Sequence, residues 1–402
     1  MRYSMLSVIL CLLAFNVLNA SASVDSPVEP AAVGELVLAS DQFGCKLLKE
    51  LYQERPKENL FISPYSIFTA LGMTYNGAAG TTQKAMADCL GISQMPPGRL
   101  NPAVLELKKR LSAIPKVEVL IANSLWARKG ITFNPQFIAT NQRFYQAEVT
   151  NLDFFNPQAP ARINNWVREK TKGKITSIID NIKPEAVLFL INAVYFKGRW
   201  QKEFDPKFTQ EHDFYLIDGT KKKVPMMSRS DRFNYLETEK FQAIGLPYGD
   251  GKMSMFIFLP GKGSSLQEFI SELNIKDLKK WLTEFSSLRG ELLLPRFKLE
   301  YKTSLNNSLK KLGMGEAFDL ERANFSLMAK SKIRFAIGDV LHKTFVEVNE
   351  EGTEAAAVTS VEMVMSAVPM ERFRMVVDHP FFFLIQENDT GTILFAGVVV
   401  EP

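Results

Sequence analysis

Residues 350–368 read Glu-Glu-Gly-Thr-Glu-Ala-Ala-Ala-Val-Thr-Ser-Val-Glu-Met-Val-Met-Ser-Ala-Val, and Pro369 is the first proline after Glu350. From Thr353 onward small side chains come first and β-branched ones follow. In steps of two, Thr353, Ala355, Ala357, Thr359, Val361, Met363 and Met365 share one face, which is uncharged. Glu354, Ala356, Val358, Ser360, Glu362 and Val364 share the other, which carries every charge. This is the pattern of a half-buried strand. The 16 residues from Thr353 to Val368 far exceed an ordinary strand of about 5–6. Two readings stand side by side. One is a very long strand of a sheet. The other is a segment exposed in one state and inserted as a strand in another.

Working outward, Thr344–Glu350 reads as a strand leading into this segment. His342 lies in the apolar run Val340–Val348, which makes it a buried, hydrogen-bonded structural histidine. On the other side, Phe381–Ile385 and Thr392–Val400 form a closing hairpin that turns at residues 388–391. Upstream, residues 186–196 are nearly all apolar, as in a central strand buried on both faces. Met253–Leu259 and the alternating run Glu291–Tyr301 add further strands.

The first half is helical instead. Leu36–Tyr52 has apolar residues at helical spacing. A short strand, Phe61-Ile62, runs into Ser63-Pro64, an N-cap followed by proline at the first helical position of a helix continuing through Ile67–Tyr75. Ala161–Lys172 is an amphipathic helix. Helices first and strands later, without regular βαβ alternation, predict an α+β layout, and no linker or repeat divides residues 36–402.

The 402 residues are 46% hydrophobic and 23% charged, which excludes a disordered or collagen-like chain. The 48 basic and 44 acidic residues give +4, so neither nucleic acid nor an anionic membrane is called for as partner. Residues 1–22 read as a secretory signal: Arg2, an apolar stretch from Met5 to Phe15, then Asn19-Ala20-Ser21-Ala22 with small residues at the cleavage site. That places the mature chain outside the cell, or in the periplasm of a bacterium. The 3 cysteines are too few for a disulfide scaffold, and Cys11 departs with the signal. Cys45 and Cys89 either pair or remain buried thiols, and they are read as unpaired. Asn306, Asn324 and Asn388 begin Asn-x-Ser/Thr triplets and are candidate glycosylation acceptors.

Enzyme signatures are missing. The only histidines are His212, His342 and His379, and the chain has no Gly-x-Ser-x-Gly elbow, no His-Glu-x-x-His, no phosphate-binding loop and no Cys/His cluster at metal-ligand spacing. No catalytic residue, metal or cofactor is expected. Three short basic clusters, Lys108-Lys109-Arg110, Lys170/Lys172/Lys174 and Lys221-Lys222-Lys223, read as solvated faces, with a sulfated polysaccharide as a weak candidate ligand.

At this point a resemblance carries more than the patterns do. Glu-Glu-Gly-Thr-Glu-Ala-Ala-Ala at 350–357 resembles the hinge of inhibitory serpins, and Val377-Asp-His-Pro-Phe-Phe-Phe383 resembles the signature beyond their reactive loop. Asn192–Trp200 resembles the third strand of the main serpin sheet, Phe61–Ile67 the buried helix beneath it, and Asn165–Ile175 the helix lying across it. The resemblance implies a serpin fold of three β-sheets and eight or nine helices with an exposed reactive loop. It also implies one domain over residues 36–402, preceded by an extension at 23–35.

What the resemblance implies of function is a monomeric, single-use inhibitor of serine proteases that is not itself an enzyme. Glu350, Gly352, Thr353, Glu354, Ala355, Ala356 and Ala357 would form the hinge. Ser66, Asn192 and His342 would fall at the shutter under the centre of the sheet, and Trp200 at the breach where the loop enters. The residue before the scissile bond usually stands 14 positions after the hinge glycine, which gives Ser366–Ala367, with Met365–Ser366 as alternative. Either bond points to an elastase-, chymotrypsin- or cathepsin-like target. Arg372 and Arg374 lie too far along for normal registration. The alternative function is a non-inhibitory serpin acting as carrier or chaperone.

Overall fold

The computed structural model describes residues 28–183, 186–261, 263–330, 334–353 and 373–402. Residues 1–22, read from sequence as a signal, lie outside them, as do Glu354, Ala355, Ala356, Ala357, Met365, Ser366 and Ala367. Among the described residues the helices are α1 (Pro30–Glu54), α2 (Pro64–Tyr75), α3 (Gly80–Leu90), α4 (Pro97–Ser112), α5 (Pro135–Tyr145), α6 (Ala159–Lys170), α7 (Leu266–Glu272), α8 (Ile275–Glu284) and α9 (Asn306–Leu309). The strands are β1 (Leu60–Ile62), β2 (Val117–Arg128), β3 (Glu148–Leu152), β4 (Leu188–Arg199), β5 (Gln210–Tyr215), β6 (Lys221–Glu237), β7 (Phe241–Tyr248) and β8 (Met253–Pro260). They continue as β9 (Ser286–Pro295), β10 (Phe297–Ser304), β11 (Asp339–Asn349), β12 (Gly352–Thr353), β13 (Phe373–Val376), β14 (Phe381–Glu387) and β15 (Thr392–Val399).

Six strands form one sheet in the order β10-β11-β12-β4-β2-β3, in which β11 also pairs directly with β4. The other nine follow the path β1-β15-β14-β8-β7-β6-β9-β13, with β5 on β6. The 17-residue strand β6 runs through both halves of this path, pairing with β7 at one end and β5 at the other. It thereby joins the two smaller sheets implied by the resemblance.

β4 is central because its sequence allows nothing else: all residues from Leu188 to Phe196 are buried. Behind the six-stranded sheet, α2 is buried over its whole length. Ser63 caps it, its hydroxyl accepting from the Ser66 amide at 3.3 Å, with Pro64 at the first helical position. In front, α6 presses Ile163 and Val167 onto Phe189, Ile191 and Leu341 in a second core, where Trp166 meets Trp126 edge-on at 6.0 Å.

Several boundaries differ from the sequence reading. α1 starts at Pro30 rather than Leu36, because Ala32 and Val33 extend its buried stripe by a turn. α6 spans Ala159–Lys170 rather than 161–172, since Lys172 (φ 51°) and Gly173 (φ 82°) turn the chain away. The run Glu291–Tyr301 is two strands of different sheets: Pro295 still pairs with Met226, whereas Phe297 already pairs with Val348. The C-terminal hairpin forms as expected. Cys45 and Cys89 are unpaired and buried, and burial pushes both thiols up to about 12.

Candidate functional site

β4 and β11 are parallel neighbours from Asp339↔Phe189 to Phe345↔Tyr195 and then part into a fork. The chain turns at residues 349–352 and lays Gly352-Thr353 into that fork, antiparallel to both walls. Thr353 pairs with Val348 on one side and Gly198 on the other, and Gly352 pairs with Asn349 and Arg199. Thr353, the first residue of the expected inserting face, and Gly352 before it are thus already a strand of the sheet.

Each wall of the fork is held by identifiable contacts. Thr353 is fully buried, and its hydroxyl hydrogen-bonds the buried Tyr248 hydroxyl at 2.8 Å. Tyr248 stacks against Trp200 at 4.4 Å between centroids and 12° between planes. The Trp200 indole N–H donates to the Asn349 carbonyl at 2.9 Å. Backbone amides of Trp200 and Phe204 donate to the carbonyls of Glu351 and Glu350, both at 2.9 Å. Gly352 has φ +146°, and a Cβ there would stand 2.2 Å from the Gly198 carbonyl oxygen. Glycine is therefore demanded by close backbone approach as well as by backbone freedom.

Glu350 anchors the base of the turn. Its buried carboxylate accepts from Arg296 Nε at 2.8 Å and Nη2 at 2.5 Å, and from the Thr209 hydroxyl at 2.5 Å. Burial pushes the Glu350 carboxyl upward, but the Arg296 and Thr209 hydrogen bonds outweigh it and hold the group below its ordinary value.

Below the fork, Ser66, Asn192 and His342, the three residues that the resemblance groups, are joined by hydrogen bonds. The Ser63 amide donates to His342 Nε2 at 3.2 Å, so the ring proton resides on Nδ1 and is donated to Asn192 Oδ1 at 2.5 Å. The Asn192 amide nitrogen donates to the Ser66 hydroxyl at 2.5 Å and to Asn123 Oδ1. Asn123 donates on to Thr69 at 3.1 Å, Ser63 Oγ to the Leu394 carbonyl at 2.6 Å, and Thr344 Oγ1 to the Phe61 carbonyl at 2.6 Å. One polar network thus spans α2, β2, β4, β11, β1 and β15 through an otherwise apolar core. Complete burial pushes His342 down to about 3, so it stays neutral.

Sequence reasoning missed Tyr248, Arg296, Thr209, Asn123, Thr69 and Thr344. The signal available for Asn123 and Thr344 was a polar residue inside an apolar strand pattern. The chain leaves residues 354–372 through β13, which belongs to the other sheet. Phe373 pairs with Gly290 and stacks on Tyr235 at 3.8 Å, and Arg374 pairs with Glu291 at 2.6 Å.

The basic clusters carry acid partners. Lys221 and Lys223 face Asp213, Lys222 faces Glu401, Arg110 faces Glu106 and Lys172 faces Glu118. Among the described residues no group of His, Cys, Asp or Glu has the geometry of a metal site, and no helix is long and apolar enough to cross a membrane.

The comparisons agree with this architecture. The family model of serpins, serine protease inhibitors, matches residues 38–402. Serpin B6 of Macaca fascicularis is 38% identical over 379 residues, covering 91% of this chain and 99% of its own. Among solved structures, the thermophilic serpin tengpin in its native state superposes with a TM-score of 0.87 at 31% identity, covering 94% of this chain and 96% of its own. Human thyroxine-binding globulin complexed with its hormone superposes with 0.85 at 28% identity, covering 92% and 99%. The chain belongs to the serpin family, and its fold is the serpin fold.

Proposed function

We propose that the protein is a secreted inhibitor of serine proteases that works once, by inserting its cleaved loop into the six-stranded sheet. The observation that carries this reading is Gly352-Thr353 lying in the β4–β11 fork, hydrogen-bonded to both walls. The protease serine oxygen attacks the Ser366 carbonyl carbon and the bond to Ala367 breaks. The amine leaves with a proton, and an ester joins the inhibitor to the protease. The freed segment then extends from Thr353 down the seam between β4 and β11. Thr353 already points into the core, so continued strand alternation turns Ala355, Ala357, Thr359, Val361, Met363 and Met365 the same way. Small, uncharged leading side chains pass between strands without a desolvation penalty. About 14 residues at ~3.3 Å each carry the attached protease about 46 Å, distorting it before water resolves the ester.

The shutter and breach roles belong to the same proposal. Asn192–His342 is the bond that crosses the closed seam, and Trp200 with Tyr248 lines its upper mouth. A carrier or chaperone is the second reading, favoured by the likeness to the thyroxine-bound globulin. A sulfated polysaccharide is a secondary partner reading for the basic clusters, tested by retention on a heparin column at physiological salt.

The deciding experiment incubates the secreted protein with a panel of serine proteases. Elastase- or chymotrypsin-like enzymes should give a complex that survives hot detergent and a released peptide beginning at Ala367. A start at Ser366 moves the bond to Met365–Ser366, and a start at Glu371 or beyond defeats both registers. Absence of any stable complex hands the lead to the carrier. Secretion is read separately, from a mature N-terminus at Ser23.

A further inference from the structure

Three Asn-x-Ser/Thr triplets are present, and the fold treats them unequally. At Asn306 both ends of the amide are in use: Nδ2 donates to the Gly338 carbonyl at 2.9 Å, and Oδ1 accepts from the Val340 amide at 3.0 Å. These bonds tie the start of α9 to the start of β11, and Ser308 of the same triplet is fully buried. At Asn388, Nδ2 donates twice, to the Gly251 carbonyl at 2.7 Å and to Ser254 Oγ at 2.9 Å. An amide nitrogen has two hydrogens, and both are spent there. The Thr390 hydroxyl of that triplet is bound to the Glu387 carboxylate and to Thr392.

Asn324 is different. Its backbone is fixed, with N–H donating to Thr82 Oγ1 at 3.0 Å and C=O accepting from the Ala79 amide at 2.9 Å. Phe325 is buried and stacks on Phe335 at 6.0 Å, so it anchors the triplet from inside. Asn324 and Ser326 on either side are exposed. Asn324 Oδ1 accepts from the Ser326 amide at 3.2 Å, the Asx-turn that leaves the amide nitrogen directed away from its own backbone. Among the described residues, Asn324 Nδ2 and the Ser326 hydroxyl have no hydrogen-bond partner. The neighbouring helix start offers Gly80, where a Cβ would stand only 3.7 Å from Nδ2.

We propose that Asn324 is the glycosylated asparagine of the secreted chain and that Asn306 and Asn388 are unmodified, a proposal that rests on the secretion reading. The donor is a lipid-pyrophosphate-linked oligosaccharide of the secretory pathway. Nδ2 of Asn324 forms a bond to the anomeric carbon, the carbon–phosphate oxygen bond breaks, the lipid pyrophosphate leaves, and one amide proton is lost. Transfer meets the chain before folding is complete, so the folded structure acts as a filter on the products. A glycan on Asn388 replaces a hydrogen that the native fold needs, and one on Asn306 must share an amide nitrogen already held by the Gly338 carbonyl, in a triplet whose Ser308 is fully buried; one on Asn324 replaces a hydrogen bonded to nothing described.

The test expresses the full chain in a eukaryotic secretory host and maps glycans on protein from the medium by N-glycosidase treatment and peptide mass spectrometry. One glycan is expected, with Asn324 converted to Asp by the enzyme. Asn324→Gln and Ser326→Ala should each abolish the shift while leaving the melting temperature of the secreted protein unchanged. Asn306→Gln and Asn388→Gln should leave the shift in place. Secreted protein without a glycan, or with one at Asn306 or Asn388, overturns the proposal. A parallel chain with residues 1–22 replaced by a signal of known activity separates the two readings. If only that chain reaches the medium and carries its glycan at Asn324, secretion by the native leader fails and this assignment stands.

Discussion

Substituting Thr353 by arginine tests the fork most directly. In the native state Thr353 is fully buried, hydrogen-bonded to Tyr248 at 2.8 Å and paired to both β11 and β4. Arginine removes the hydroxyl partner of a buried tyrosine, which costs about 1–3 kcal/mol. It also brings a guanidinium to a buried place beside Tyr248 and strand backbone, where among the described residues no carboxylate is bonded to Thr353, and burying an unpaired charge costs several kcal/mol more. The arginine is therefore expelled from the fork in the native state and must re-enter for insertion; if about 3 kcal/mol of this total falls on that step, insertion slows roughly 100-fold, at about 1.4 kcal/mol per tenfold. Hydrolysis of the ester is untouched, so it overtakes insertion. The variant should be cleaved at the same bond at a normal rate while the yield of detergent-stable complex collapses. Thr353→Val, which keeps the volume and loses only the hydroxyl, should retain most of the yield. Electrophoresis of protease–serpin mixtures over a range of molar ratios reads both quantities. An undiminished complex yield for Thr353→Arg would refute the claim that entry at this position gates insertion.

Three further outcomes follow from the same geometry. Nicking the loop within residues 360–368 should raise the thermal midpoint, although a covalent bond has been lost; a nicked protein melting at or below the intact one removes the case for a metastable native state. His342 is pushed from its ordinary 6.5 to about 3 by burial, so the unfolded chain takes up a proton that the folded one refuses. Stability attributable to this group is therefore lost as pH falls from about 6.5 towards 3, by up to ~4–5 kcal/mol at ~1.4 kcal/mol per unit, and His342→Gln should flatten the fall of the thermal midpoint across that window. Asp41, on α1, is pushed from 3.8 up to about 7 by burial despite the Ile393 amide and the Lys279 ammonium 3.6 Å away. Its stability contribution is then lost as pH rises between those values, so Asp41→Asn should raise the midpoint more at pH 8 than at pH 5, and an equal change at both would sink the assignment.

Local signals read well wherever one residue acts on its own neighbours. Ser63-Pro64 marked the start of α2 because a cap and its helix are adjacent in sequence. Leu188–Phe196 marked the central strand because a segment buried on both faces has no polar residue to spare. Of the expected hinge, Glu350, Gly352 and Thr353 sit at the fork, while the alternation from Glu354 onward lies outside the described residues. The misses arise where sequence neighbours separate in space. Glu291–Tyr301 keeps its apolar alternation across Pro295, so nothing local announces that the chain changes sheets between Pro295 and Phe297. α1 begins at Pro30 because Ala32 and Val33 meet the core, yet in sequence these small apolar residues read as part of an extension before the domain. Tyr248 sits in an apolar strand as any core aromatic would. That its hydroxyl faces Thr353, 105 residues away, is set by sheet order alone. Arg296 and Thr209 are equally ordinary until Glu350 arrives between them. Sequence reading could place Ser66, Asn192 and His342 in one network only through the family resemblance, since they come from three separate elements.

If the proposed insertion is right, the placement of Gly352-Thr353 also explains how it can stop after two residues. Thr353 is a strand of the six-stranded sheet, while Phe373, after residues 354–372, is paired to β9 in the other sheet and stacked on Tyr235. Further entry at one end must draw chain from the other, and β13 resists that through its ladder to β9 and the Arg374–Glu291 pair. Below the fork the seven register pairs from Asp339↔Phe189 to Phe345↔Tyr195 hold the seam shut, with the Asn192–His342 bond across it. An inserted strand would exchange that single ladder for two, which favours entry on the proposed mechanism and leaves the tether as the obstacle. Cutting the loop removes the tether without touching the fork or the seam. On the proposed mechanism, a protease that cleaves near Ser366 supplies the one change that entry requires, and Gly352-Thr353 are already in register when it does.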